Sequence, residues 1–139
     1  MPIENIKHGK YIVELKPGYS IFKEVTAPQV GAFGIKDLDN AKFCLGWSLL
    51  TEPFKMVLES HKHDFEQYLF FLGGDNNKVN EFDAEIEYGM DGKMYKLDYA
   101  CCIHVPSNVM HGPLYVNRVT KPCVFIDIVL NDTPSVRLP

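Results

Sequence analysis

Short apolar runs separated by turn residues make up most of this chain. In residues 82–88 apolar and acidic side chains alternate strictly, so that one face is apolar and the other is charged. Such alternation is typical of a β-strand that is buried on one face. A DG pair at residues 91–92 follows, and it predicts a hairpin turn into the next run, KMYKLD. Near-continuous apolar runs at residues 67–72 and 123–130 predict further strands.

Comparable segments recur at the spacing of an all-β sandwich or barrel, and they indicate roughly eight to ten strands. Residues 1–40 are expected to hold N-terminal strands and turns, including an alternating run at residues 10–16. The pattern indicates no amphipathic helix of about ten or more residues. We therefore expect a single all-β domain over residues 1–139.

The composition supports one packed domain. The chain has 139 residues, of which 46% are apolar and 23% are charged, which suits a domain of ordinary size. Its net charge of -4 and the absence of a basic run give no electrostatic support for nucleic-acid binding. No apolar run approaches the roughly 18 residues that span a bilayer, and the N-terminus lacks a signal-peptide pattern. We expect a soluble cytoplasmic protein that binds neither nucleic acid nor membrane.

The cysteines give no sign of a zinc site. The chain has four of them, and they lack the CxxC spacing of structural zinc sites. We expect reduced, mostly buried thiols that behave as small apolar residues.

Two histidines, His61 and His63, lie one residue apart beside a polar cluster. On a strand, residues i and i+2 share a face, so both imidazoles are expected to point the same way. After a turn at residues 64–66 the chain can return antiparallel, which places Gln67 across from the pair. Two imidazoles and a carboxamide oxygen can then converge on one point. The alternative is a solvated histidine pair at the end of an exposed strand.

A third histidine has a distinctive context. Pro106 is expected to end a strand, because proline cannot donate to a central ladder. Asn108 follows in a turn, where asparagine tolerates a left-handed conformation better than most residues. His111 then begins the next strand. Three histidines from two neighbouring hairpins make a facial set that an amide or a carboxylate can complete, and such sets leave coordination positions open.

These residues resemble the two sequence motifs of the cupin family. His61, His63 and Gln67, with Gly74 seven residues later, resemble the first motif, which is HxH followed by a Glu and a Gly. The PSNVMH segment resembles the second motif, Pro-x-Gly-x-x-His. The resemblance covers residues 43–130 and is strongest to single-domain bacterial cupins. It implies a double-stranded β-helix, or jelly-roll, barrel that binds one divalent metal ion inside.

The identity of the fourth ligand in the implied site stays open. The position that holds a glutamate in the first cupin motif holds Gln67 here, and Glu66 lies next to it. If the strand register is kept, Gln67 faces the histidines, whereas a bulge would put Glu66 in its place. We expect His61, His63, His111 and Gln67 to bind the metal. Such nitrogen and oxygen ligands suit Fe, Mn, Ni or Zn, and ligand identity alone does not choose among them.

Two carboxylates are candidates for acid–base chemistry in the implied site. Glu59 shares the parity of His61 and would face the metal, unless a bulge at Ser60 turns it to solvent. Glu66 is the second candidate. An ion held by neutral ligands favours an anionic partner, so a small oxygen-bearing and possibly anionic substrate is expected.

The resemblance leaves several functions open. A metalloenzyme fits first, as a dioxygenase, an isomerase or a decarboxylase that polarises its substrate inside the barrel. The alternatives are a non-catalytic protein that binds or senses a small molecule, and a barrel without metal. The outer faces of the YLFF and FIDIVL runs are too apolar for a lone barrel. Because cupins commonly pair through such surfaces, a homodimer is expected.

Overall fold

The structure is a computed structural model that describes residues 8–15, 17–18 and 29–134. Strands dominate this part of the chain, and the prediction of an all-β fold is confirmed. In the described ranges no helix is long and apolar enough to cross a membrane. The elements in chain order are a 3-10 turn (Gly9–Tyr11), β1 (Pro17–Gly18), β2 (Gln29–Phe33), α1 (Gly34–Asp37), β3 (Cys44–Leu50), β4 (Phe54–Val57), β5 (Gln67–Gly73), β6 (Ala84–Met90), β7 (Lys93–Leu97), β8 (Cys101–Val105), β9 (His111–Val119) and β10 (Cys123–Val129).

Two sheets pack against each other. One has six strands in the order β1-β2-β3-β10-β5-β8, and the other has four in the order β4-β9-β6-β7. All neighbouring strands pair antiparallel. Strands distant in sequence therefore lie side by side, as β10 does between β3 and β5. The same arrangement puts the start of β9 beside the segment that follows β4.

The hydrophobic core lies between the sheets. Phe71 and Phe125 come from the six-stranded sheet, and their ring centroids are 5.2 Å apart. Ile86 and Leu114 from the four-stranded sheet join the same buried cluster. Because successive side chains of a strand point to opposite faces, each of these strands sends alternate residues into the core. Removal of this apolar surface from water is the main force that holds the sheets together.

The predicted hairpin between β6 and β7 is confirmed. Asp91 and Gly92 have φ angles of 51° and 82°, and they join strands paired from Met90 and Lys93 outward. Positive φ at both central residues is what a two-residue turn of this kind requires. The apolar face of residues 82–88 is buried, as its alternation predicted.

The described N-terminal residues differ from the alternation seen in the sequence. Residues 10–15 contain the end of the 3-10 turn and then no regular structure, where a strand was expected. Residues 1–7, 16 and 19–28 lie outside the described residues, so the prediction for them is not addressed.

β4 has an irregular pairing with β9. It ends at Val57, and the pairing shifts register between Lys55 and Val57. As a result, the adjacent residues Met56 and Val57 are both buried. The strand parity that would carry Glu59 to the face of His61 is therefore interrupted.

The cysteines form no disulfide. Cys44 and Cys123 are buried, Cys101 is half-buried and Cys102 is exposed. Burial raises the pKa of the Cys123 thiol to about 11, so it stays protonated at neutral pH.

Candidate metal site

Three backbone hydrogen bonds join the two segments that carry histidines. The N–H of His61 donates to the carbonyl oxygen of His111 at 2.8 Å, and the N–H of His111 donates back to His61 at 2.8 Å. The N–H of Asn108 donates to the carbonyl oxygen of His63 at 2.7 Å. These bonds hold the segment after β4 against the turn before β9, and so they bring the histidines of both motifs together.

Two left-handed backbone positions allow this close contact. Asn108 has a φ of 64°, which agrees with the expectation that asparagine takes the left-handed place in this turn. Gly112 has a φ of 94°, and a Cβ atom there would lie 2.7 Å from the carbonyl oxygen of Glu59. Glycine is required at position 112 because it has no side chain to strain or clash.

The imidazoles of His61, His63 and His111, called here the histidine triad, form one cluster. The ring centroid of His61 is 4.9 Å from that of His63 and 4.3 Å from that of His111, and the remaining pair is 5.0 Å apart. One ring nitrogen from each residue lies within 4.8 Å of the others, so the triad could hold a metal ion. The structure thus brings together all three histidines that the sequence singled out.

Hydrogen bonds to the backbone fix the orientation of two of these rings. Nδ1 of His61 lies 3.1 Å from the carbonyl oxygen of Glu59, and Nδ1 of His111 lies 3.0 Å from that of Val109. A carbonyl oxygen can only accept, so Nδ1 must carry the proton in each ring. Nε2 then keeps its lone pair, which is the form that binds metal. The ring of His63 stacks on Phe65 at 4.7 Å, which restrains the third imidazole.

Gln67 faces into the barrel beside the triad. Its Nε2 donates a 2.8 Å hydrogen bond to Oδ1 of Asp127 on β10. Its Oε1 is buried and accepts no hydrogen bond from the described residues. The alternation of β5 puts Gln67 on the inner face, as the register argument expected. Together with His61, His111 and Tyr88, these two residues line a small cavity, called here the triad cavity.

Asp127 is a site residue that the sequence analysis missed. It keeps part of its accessible area because a second, larger cavity lies beside it. Even so, burial of the carboxyl group raises the pKa of Asp127 to about 6, although the hydrogen bond from Gln67 lowers it. The sequence does hold a sign of this role. Asp127 is an acidic residue inside the apolar run FIDIVL, and on a strand it shares a face with Phe125 and Val129.

Tyr88 was also missed as a site residue, because its place in an alternating apolar strand predicts a core role. It is 3% exposed, and its hydroxyl has no hydrogen-bond partner among the described residues. Burial raises the pKa of Tyr88, and the negative charge of Asp127 raises it further. The hydroxyl therefore stays neutral and can donate a hydrogen bond into the triad cavity.

The predicted acid–base carboxylates do not line the triad cavity in the described part of the chain. Oε1 of Glu66 lies 2.8 Å from Nε2 of His104, and both side chains are well exposed. Glu59 is exposed as well, and what it contributes to the triad is its backbone carbonyl oxygen. Catalytic roles for Glu59 and Glu66 stay predictions that their placement does not favour.

Two cavities meet at Phe125 and Asp127, which line both of them. The triad cavity has a volume of about 20 Å³, enough for an ion or one water molecule. The larger cavity has a volume of about 330 Å³, within the range of small-molecule sites. Its walls are largely apolar, with Lys36, Asp37 and Asp127 as charged residues.

The donors of the histidine triad and Gln67 fit a divalent transition metal. The three imidazole nitrogens lie together, and Gln67 lines the triad cavity with His61 and His111. Nitrogen and oxygen donors without thiolate suit Fe, Mn, Ni or Zn. An ion bound by these donors would keep open positions for water or for a substrate oxygen.

Protein-family models and curated proteins give no match to this chain. Solved structures do share its fold. A cupin 2 domain-containing protein from Halorhodospira halophila gives a TM-score of 0.55 at 13% identity, over 81% of this chain and 68% of that one.

Two further solved structures are much longer than this chain. A variant of oxalate decarboxylase from Bacillus subtilis gives a TM-score of 0.54 at 18% identity, over 88% of this chain and 30% of that one. AerE from Microcystis aeruginosa gives a TM-score of 0.52 at 15% identity, over 83% of this chain and 44% of that one. The chain spans less than half of the length of these two proteins, and likeness at such identities shows the fold alone.

Proposed function

Because the chain has the cupin fold, and because that fold brings three histidines together, we propose that the protein is a metal-dependent cupin. We propose further that it acts on a small oxygen-bearing organic molecule inside the barrel. The observation that carries the proposal is the convergence of the three histidines, two of which are buried. His63 and His111 are 5% and 3% exposed, which argues against a solvated surface pair.

Each residue of the proposed centre has a defined part. His61, His63 and His111 bind the ion through Nε2, and Gln67 binds it through Oε1. A divalent Fe, Mn, Ni or Zn ion would act there as a Lewis acid toward a substrate oxygen. Tyr88 donates a hydrogen bond toward the same region, which favours an oxygen that carries negative charge.

The larger cavity is the proposed place for the body of the substrate. It shares Phe125 and Asp127 with the triad cavity, so a molecule bound in it would lie next to the proposed metal site. One structural neighbour is an oxalate decarboxylase, which acts on a small oxygen-rich molecule. A comparable substrate would suit the proposed site, and dioxygenase, isomerase and decarboxylase reactions are all candidates.

A non-catalytic binding protein is the second candidate function. It is favoured by the exposed placement of Glu59 and Glu66, since neither carboxylate lines the triad cavity in the described residues. A barrel that binds a ligand through a metal without turning it over needs no acid–base group.

Elemental analysis of the purified protein by mass spectrometry tests the metal centre. We expect about one equivalent of a transition metal in the wild type and none in His63→Ala, because a fully formed site needs all three imidazoles. His104→Ala is the matched control, since His104 is exposed and lies outside the triad cavity, and it should keep the metal. Absence of metal from the wild type after reconstitution, or full metal in His63→Ala, would contradict the proposal.

NMR spectra of small carboxylic and enolic acids, mixed with the metal-loaded protein, distinguish catalysis from binding. If the signals of one acid disappear with the wild type but not with His63→Ala, the protein is an enzyme. If the signals broaden but keep their intensity, the protein binds the acid without converting it.

A further inference from the structure

Asp127 is an inward-facing carboxylate, and the basic residue that shares a cavity with it in the described ranges is Lys36, in the larger cavity. No lysine or arginine lines the triad cavity, and none forms an ion pair with Asp127 there. The neighbouring inward-facing residues of β10 are Phe125 and Val129, which are apolar and buried. An ionised carboxylate in such surroundings is unfavourable unless a positive charge or strong donors compensate it. A cation in the triad cavity would provide that compensation.

The hydrogen bond from Gln67 to Asp127 decides which way the Gln67 amide points. A carboxylate can only accept, so the amide nitrogen must face Asp127 and the amide oxygen must face away. Oε1 is then the atom that is buried without a partner among the described residues. Gln67 pairs with Val129 and Asp127 pairs with Leu69 on adjacent strands, so the sheet itself fixes the contact.

We propose that Asp127 is the positioning residue of the metal site, and that it holds the Gln67 amide with its oxygen toward the histidine triad. This inference rests on the proposed metal-binding function. Asp127 acts through Gln67 in two ways. It prevents the amide from turning its nitrogen toward the ion, and its charge polarises the amide so that the oxygen is a stronger donor. The carboxylate also offsets part of the charge of the ion without touching it.

A double-mutant cycle with Co²⁺ as the probe tests the proposal. The four proteins are the wild type, Asp127→Asn, Gln67→Glu and the double variant, each freed of metal and confirmed as folded by circular dichroism. Asp127→Asn should weaken Co²⁺ binding by about tenfold to a hundredfold, because either end of the Gln67 amide can then face the triad. Its visible Co²⁺ spectrum should also change, because an oxygen donor is lost or exchanged.

The effect should be smaller in the second background. Gln67→Glu replaces the amide with a carboxylate, which offers an oxygen at either end and so needs no orientation by Asp127. Asp127→Asn then removes only a negative charge near the ion. It should therefore weaken Co²⁺ binding clearly less in that background than in the native one. Asp98→Asn, an exposed change of the same charge, is the control and should leave Co²⁺ affinity unchanged.

The outcomes separate this inference from the proposed function. Equal effects of Asp127→Asn in both backgrounds, or none in either, would overturn the positioning role and leave the metal site intact. If Asp127→Asn alone fails to fold, Asp127→Ala takes its place in the same cycle, and the difference between the two backgrounds decides. A wild type that binds no Co²⁺ would overturn the metal site and this proposal together.

Discussion

At the residue scale, the Tyr88 hydroxyl is a buried polar group in the triad cavity that has no hydrogen-bond partner among the described residues. Leaving such a group unpaired costs about 1–3 kcal/mol. Tyr88→Phe removes only the oxygen, so we expect the free energy of unfolding of the metal-free protein to rise, by about 1 kcal/mol. Urea denaturation, monitored by far-ultraviolet circular dichroism, measures this free energy.

Tyr95→Phe is the control for this substitution. Tyr95 is 47% exposed and pairs with Tyr88 across the β6–β7 hairpin, so its hydroxyl is in contact with water. The control should alter stability by less than about 0.5 kcal/mol. A clear loss of stability in Tyr88→Phe would mean that the hydroxyl has a partner within the protein.

The face on which a side chain lies could be predicted where the alternation of its strand is uninterrupted. Gln67 was placed on the inner face because β5 alternates without interruption from its first residue. For Glu59 the sequence left two placements open, toward His61 or toward solvent, and the register shift in β4 goes with the exposed one. Asp127 was missed because a carboxylate in an apolar strand becomes meaningful only when its partner on the adjacent strand is known.

At the element scale, the contact between the start of β9 and the segment before His61 depends on Gly112. A Cβ atom there would lie 2.7 Å from the carbonyl oxygen of Glu59, which is the acceptor for Nδ1 of His61. Gly112→Ala should therefore lower stability and also displace the His61 ring. We expect a loss of about 1–2 kcal/mol or more from the strained backbone and the clash, with weaker Co²⁺ binding by calorimetry.

Gly92→Ala is a matched control for this prediction. Gly92 also has a positive φ, of 82°, but a Cβ atom there would meet nothing within 4 Å. Gly92→Ala should thus lose stability through backbone strain alone and keep its full affinity for Co²⁺. If both variants bind Co²⁺ as the wild type does, the close approach at Gly112 does not position His61.

Some elements could be predicted and others could not, for a physical reason. The β6–β7 hairpin is local, since the Asp91-Gly92 turn and the alternation on either side determine it. The order of strands in the six-stranded sheet is not local. β10 pairs with both β3 and β5, and that choice depends on packing between segments far apart in the sequence.

At the scale of the whole molecule, turns and strand parity predicted an all-β domain and the convergence of the three histidines. The cupin fold was implied by the resemblance of two segments to the cupin motifs. The two cavities did not follow from the sequence, because the larger one lies among residues of β1, β2, β3 and β10 and the triad cavity among residues of β4, β5, β6, β9 and β10. The position of Phe125 and Asp127 in the walls of both cavities is therefore visible only in the folded structure.

The outer face of the six-stranded sheet carries a row of large apolar side chains. Trp47 pairs with Ile126, and Ile126 pairs with Phe70, so the three lie side by side across neighbouring strands. Trp47 and Leu49 are each 39% exposed. Contiguous apolar surface of this kind is typical of an interface. We therefore keep the prediction of a homodimer and assign it to this face.

Light scattering during size-exclusion chromatography tests the homodimer. The wild type should have twice the 15.8 kDa mass of the chain. Ile126→Lys should reduce the mass to that of a single chain, because a lysine at the centre of an apolar interface would bury an unpaired charge. The monomer can still fold, since Ile126 lies on the outer face and a lysine there can reach water.

Met94→Lys is the control for this prediction. Met94 is 47% exposed on β7 of the other sheet, so this substitution should leave the dimer intact. A monomeric wild type would contradict the prediction, and a dimer that survives Ile126→Lys would place the interface on another face.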